Sequence, residues 1–112
     1  MKVAFEEIGR VSVSFAAEAG EAGQVCKLVG NGKVGPCGAG DVFAGVLEGI
    51  RKGIAGVQIH GFAEVSYSGS DPEAGFVKLA ADGQGGVSKM DTGREHLVVW
   101  VDKAGKKLMM EL

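Results

Sequence analysis

The sequence predicts an all-β protein, a small barrel or sandwich of roughly eight to ten short antiparallel strands. Three observations carry that expectation. Glycine makes up 20 of 112 residues against two prolines, and it punctuates short apolar runs as tight turns between strands do. Apolar and polar residues alternate with period two in several segments. Helical spacing is absent: the one stretch of helix-forming residues, "FAAEAGEAG" (15–23), is cut by two glycines after a single turn.

The elements follow in order. "RVSVSF" (10–15) sets Val11, Val13 and Phe15 against Arg10, Ser12 and Ser14, a half-buried strand. "QVCKLV" (24–29) and "KVGPC" (33–37) flank Gly30-Asn31-Gly32, a hairpin turn of residues that tolerate positive φ. "DVFAGVLEGI" (41–50) reads as a central strand bent at Gly45. After a Lys52-Gly53 turn comes the longest strand, "GVQIHGFAEVSY" (56–67). Its Val57, Ile59, Ala63, Val65 and Tyr67 share one face, and Gln58, His60, Phe62, Glu64 and Ser66 the other. "SGSDPEAG" (68–75) is a loop. "FVKLAAD" (76–82) and "VSKM" (87–90) make a second hairpin, and "EHLVVWVD" (95–102) and "KLMMEL" (107–112) are joined by "KAGK".

Two segments echo each other. "EAGQVCKLVGNG" (21–32) and "EAGFVKLAADG" (73–83) share Glu-Ala-Gly, Val, Lys-Leu and a final Asn-Gly or Asp-Gly. The first carries one extra residue near Cys26, which a β-bulge would absorb. The match extends at an offset between 51 and 53 residues, pairing Lys52-Gly53 with Ala104-Gly105 and "GVQI" with "KLMM". Either a Gly/Ala-rich β protein produces such echoes by composition, or 21–60 and 73–112 are duplicated units with pseudo-twofold symmetry. In both cases the motif starts and turns hairpins. The chain reads as a single all-β domain, 1–112, with 1–20 as an N-terminal arm and strands.

The search for chemistry returns little. Formal net charge is −2 with no basic stripe, which gives no footprint for nucleic acid. No run approaches the about 18 apolar residues of a membrane helix, and the N-terminus has no signal-peptide core. Cys26 and Cys37 read as free thiols in a reducing cytoplasm, although a hairpin over 24–38 would allow a bridge. No CxxC, HxH or HExxH joins Cys26, Cys37, His60 and His96, so no metal is expected. "GNGKVGPCGAGD" (30–41) lacks the GxxxxGK[ST] of a phosphate loop. Scattered carboxylates give no catalytic pair, so no enzyme, catalytic residue or cofactor is expected. Phe62 alone among the aromatics sits in a polar register, beside His60. With Glu64 these mark the face of a small-ligand or carbohydrate-binding β module, the alternative function. Trp100, in register with His96, Val98 and Asp102, reads as core or subunit interface.

A resemblance gives the leading function. "G-apolar-apolar-E" at Gly45-Val46-Leu47-Glu48, the spaced Val and Gly positions from Val57 to Val65, and the hairpin from Ala74 to Gly83 resemble small prophage proteins encoded near capsid genes. More broadly they are similar to tailed-phage head decoration (capsid cement) proteins, over about residues 21–112. The resemblance implies a non-enzymatic structural protein acting as a homo-oligomer, a trimer, that ties major capsid subunits together on the virion surface after assembly in the bacterial cytoplasm. It implies contacts made by apolar burial, multivalency and strand addition, with "MKVAF" and "KLMMEL" as pairing strands. His60, Phe62, Glu64 and Trp100 are the expected interface or ligand face.

Overall fold

The structure, a computed structural model, describes residues 9–112. The expected pairing strand "MKVAF" lies outside them. Ten strands form: β1 (Val11–Ala17), β2 (Val25–Gly30), β3 (Lys33–Pro36), β4 (Gly45–Arg51), β5 (Ile54–His60), β6 (Phe62–Ser66), β7 (Gly75–Ala81), β8 (Val87–Lys89), β9 (Arg94–Asp102) and β10 (Lys107–Glu111), with no helix among the described residues. The all-β expectation holds.

The first five strands close into a barrel of order β1-β3-β2-β4-β5, and the last five form a sheet of order β6-β10-β9-β7-β8. Not every pair is antiparallel: β1 runs parallel to β3 through Ala16↔Lys33 and Ala17↔Val34. Parity requires this. Strands that alternate direction around a ring of five must meet once in the same direction.

The two sheets repeat one pairing pattern. In each, the second strand pairs antiparallel with the third and fourth, the fourth with the fifth, and the fifth with the first. The second sheet even has a counterpart of the parallel contact, the single bridge Tyr67↔Val87. A one-residue bulge falls at the same place in both, at Glu48 between Leu47 and Gly49 in β4, and at Val99 between Val98 and Trp100 in β9. The pairing matches Ile54–Val57, not "GVQI", to Lys107–Met110, because each segment leaves its turn directly into its partners.

Three further expectations are corrected. The bulge expected near Cys26 does form in β2, but at Val29: Cys26 itself pairs regularly with Pro36 and Gly45, and the register shift falls between Leu28 and Gly30. Residues 41–44 are not strand, and β4 begins at Gly45, where an added Cβ would lie 2.3 Å from the Gln58 carbonyl oxygen. The stretch 56–67 is two strands on two sheets, broken at Gly61 (φ 95), whose added Cβ would lie 2.9 Å from Arg10 Cα. Buried Gln58 clamps that crossover, its Nε2 donating to the carbonyls of His60 (3.1 Å) and Phe62 (2.9 Å).

The turns behave as their residues dictate. Lys52 and Gly53, at φ 53 and 78, make the mirror-image two-residue turn that suits strand twist. In the first hairpin Gly32 (φ 64), and not Asn31, takes the left-handed conformation.

Two apolar clusters fill the interior. One, built from Ala17, Cys26, Val34, Leu47, Ala55 and Val57, belongs to the barrel alone. The larger one draws Val25, Phe43 and Val46 from the first half and Val65, Leu79, Val98, Leu108 and Met110 from the second. Backbone bonds cross the same junction, from Val25 N to Gly85 O (3.0 Å), Gly40 N to Ala81 O (2.8 Å) and Ala81 N to Asp41 O (2.9 Å). The halves are welded together. "KLMMEL" therefore cannot act as an interface strand: β10 lies between β6 and β9, with Leu108, Met109 and Met110 buried.

Candidate interaction face

The outward side of the second sheet is built by alternation. Ala63, Val65, Leu108, Met110 and Val98 turn into the core, so their strand neighbours turn out. Phe62 pairs with Glu111, Glu64 with Met109, and Ser66 with Lys107, while Met109 also pairs with Trp100. Glu64 and Trp100 thus flank Met109 in one row on the side of the sheet away from the core cluster, and Met109 itself is buried there, 1% exposed. Further along, Phe76 pairs with Leu97 and Lys78 with Glu95. The Val99 bulge is decisive for Trp100. It shifts the alternation by one residue, so Trp100 faces away from His96 and Val98, contrary to the register read from the sequence.

Of the four residues expected to share a face, Phe62, Glu64 and Trp100 do. His60 does not. It ends β5 on the barrel and lines a separate hollow of about 200 Å³ with Phe43, Ala44, Ile59, Arg94, His96 and Leu112. The reason is Gly61, which carries the chain from one sheet to the other. Sequence reading also missed Phe76, which is 69% exposed. The signal was there, since Phe76 alternates with Lys78 on the polar side of β7.

Two depressions meet beside this face. One, of about 400 Å³, lies between Gln24, the turn Gln84–Gly86, and Glu64, Ser66 and Lys107. The other, of about 250 Å³, shares Gly23 and Glu64 with it and is lined by Phe62, Arg10 and Glu48. Glycine lets the walls of the first one pack closely. A Cβ at Gly85 would sit 2.8 Å from the Gln24 Nε2, and one at Gly86 2.4 Å from the Ser66 carbonyl oxygen. Asp82 holds the turn, its Oδ1 accepting the backbone N–H groups of Gln84 (2.7 Å) and Gly86 (3.1 Å) and its Oδ2 the Ser68 hydroxyl (2.9 Å). Gln24 is fixed at the opposite wall by Glu21 N–H, which donates to its Oε1 (3.1 Å).

The charges nearby are paired. Burial works against the Glu48 carboxylate, but hydrogen bonds from Ser12 (2.7 Å) and Arg10 hold it below its usual range. Lys27 donates to Asp41 Oδ2 (2.6 Å), which holds the Asp41 carboxyl down. Cys26 and Cys37 are free, and burial pushes each thiol up to about 11, a value that leaves little thiolate at neutral pH. Among the described residues no group of three or more His, Cys, Asp or Glu could hold a metal ion.

A second exposed surface lies on the barrel. Val11, Val13, Leu28, Val29 and Ile54 are between 38% and 56% exposed, on β1, β2 and the start of β5. β1 meets β3 only through Ala16 and Ala17, so from Val11 to Phe15 its second edge has no strand partner among the described residues.

No protein-family model matches the chain, and no curated protein sequence does. A solved structure does: the chain is similar to the head fiber gp8.5 N base of bacteriophage phi29, with a TM-score of 0.64 at 16% identity, over 92% of this chain and 93% of that one. The phage-head resemblance read from the sequence thus returns as a likeness of fold along nearly the whole chain.

Proposed function

We propose that this protein is a non-enzymatic structural component of a phage or prophage head, a decoration or stabilising protein that acts as a homo-oligomer on the virion surface. The observation that carries the reading is the fold shared with a phage head fiber base over 92% of the chain. The barrel surface supports it. Exposed Val, Leu and Ile side chains on β1, β2 and β5, with a β1 edge that has no strand partner among the described residues, suit a protein that is covered by partners when assembled. Strand addition along β1 would supply backbone hydrogen bonds, and those side chains would supply burial. The partners proposed are copies of this chain, a trimer, and the major capsid protein, with several weak contacts summing to a firm one. The repeated pairing pattern supports a further element of the reading, that one five-stranded unit was duplicated to give the pseudo-twofold arrangement.

Size-exclusion chromatography with light scattering tests this directly. The expected mass is three times the 11.5 kDa of one chain. A strict monomer at all concentrations, together with no co-sedimentation with phage capsids, overturns the proposal.

A further inference from the structure

We propose that Asn31, in the turn between β2 and β3, is a self-modification site at which deamidation to isoaspartate loosens the seam that closes the barrel. The inference does not rest on the capsid reading, since it concerns the chemistry of one turn.

Asparagine is among the chemically labile residues, and its reaction has structural requirements. The side chain must be free to turn, the next residue must not crowd it, and water must reach both. Asn31 is the one asparagine of the chain, and it is exposed. Among the described residues its side-chain amide makes no hydrogen bond, and the Gly32 N–H makes none to the backbone. Gly32 stands at φ 64, and a Cβ added there would meet nothing within 4 Å, so solvent has access to the Asn31–Gly32 peptide. Once deprotonated, the Gly32 nitrogen attacks Asn31 Cγ. The new C–N bond closes a cyclic imide, and the side-chain amide leaves as ammonia. Water then opens the imide. Cleavage at Cγ gives Asp, whereas cleavage at the main-chain carbonyl of residue 31 gives isoaspartate, whose backbone runs through the side chain.

The corresponding turn of the second half shows the restraint that Asn31 lacks. The Asp82 carboxylate, next to Gly83, is held on both oxygens: Oδ1 accepts from the N–H groups of Gln84 (2.7 Å) and Gly86 (3.1 Å), and Oδ2 from the Ser68 hydroxyl (2.9 Å). Gly83 is also enclosed, since an added Cβ would lie 3.1 Å from the Ala39 nitrogen.

Position gives the modification its consequence. The Gly32 carbonyl accepts the Ala16 N–H (2.9 Å), and β1 meets β3 only through Ala16↔Lys33 and Ala17↔Val34. Isoaspartate adds one methylene to the main chain immediately before Gly32 and so displaces that carbonyl. In so short a seam the loss of one bond is felt at closure.

The test ages the full chain at mildly alkaline and, in parallel, mildly acidic pH, then digests it with trypsin. Expected are release of ammonia and labelling by protein isoaspartyl methyltransferase in peptide 28–33, faster at the alkaline pH, with no label in peptide 79–89, which carries Asp82. Asn31→Gln is expected to abolish the label. Amide hydrogen exchange reads the seam. In the isoaspartate-bearing fraction the Ala16 N–H is expected to exchange about tenfold faster, the worth of one hydrogen bond. Unaged Asn31→Asp, which changes charge but not chain length, is expected to leave that rate as it was. No isoaspartate at residue 31, labelling of 79–89 at an equal rate, or Ala16 exchange unaltered by ageing each overturns the proposal.

Discussion

His96 of β9 stacks on Phe43 of the 41–44 segment, ring centroids 5.0 Å apart and planes 13° from parallel, and so fastens the second half of the chain to the first. Its Nδ1 lies 2.8 Å from the Glu111 carbonyl oxygen, which fixes Nδ1 as the protonated nitrogen of the neutral ring.

That relationship gives the protein an acid-sensitive joint. Burial pushes the His96 pKa below its ordinary 6.5, and the nearby Arg94 adds to the effect, while the Glu111 carbonyl opposes it. The unfolded chain therefore takes up the proton first. Stability is expected to be full above pH 6.5 and to decline as pH falls from there toward the lowered native value. Urea unfolding at pH 8 and pH 5.5 checks this, with His96→Gln expected to flatten the slope.

Tyr67 titrates alone. It is the single tyrosine of the chain, so its ionisation is visible by near-ultraviolet absorbance without overlap from a second phenol. Burial, then the hydrogen bond its hydroxyl donates to Asp71 Oδ1 (2.7 Å), pushes its pKa up to about 12. A native midpoint close to 12 is expected, with the free value near 10 restored in denaturant. Since the neutral form is the one favoured by folding, the associated stability is present below pH 10 and lost as pH rises through 12. Asp71→Asn removes the neighbouring charge and should lower the native midpoint part of the way.

Deleting Cys26 should abolish folding. The residue sits in regular pairing with Pro36 and Gly45, so deletion slips β2 by one position and turns its remaining side chains to the wrong face. Cys26→Ala keeps the register and should cost only about 1 kcal/mol. Thermal unfolding of the pair separates the two effects. Intact register in the deletion would restore the bulge reading of this site.

Gly45→Ala should be costly for so small a change. The new methyl group would meet the Gln58 carbonyl oxygen at 2.3 Å and Val57 Cγ1 at 2.8 Å, in the ladder that joins β4 to β5. A loss of about 1–3 kcal/mol is expected from overpacking. Gly40→Ala, which meets nothing within 4 Å, provides the comparison: its positive φ (86) carries conformational strain without collision.

Strand existence was legible because alternation and turn residues speak locally. "RVSVSF", the Asn31-Gly32 hairpin and the Asp82-Gly83 hairpin all fall where period two and glycine place them. What the sequence did not reveal is where alternation is broken. A bulge is one residue of slippage with no composition of its own, so Val99 could not be seen to reverse Trp100. Gly61 is one of twenty glycines, and only the approach of Arg10 distinguishes it as the point where the chain changes sheets. Those two residues decide the candidate face. Gly61 removes His60 from it, and Val99 adds Trp100. Phe76 was masked by its own neighbours, since the apolar run that follows in β7 reads as core.

The place of β10 governs the order in which the molecule can be made. The barrel strands β1 to β5 precede it in synthesis and can pair among themselves as they emerge. The second sheet has no such freedom. Among the described residues β6 has only β10 as a ladder partner, and β9 loses one of its two neighbours without it. Until residues 107–111 leave the ribosome, β6 and the surface over Leu79 and Val98 must wait without their final cover. β10 is therefore the last of the described strands to be made, and a chaperone or a nascent partner has its longest opportunity to engage the second sheet in the interval before it.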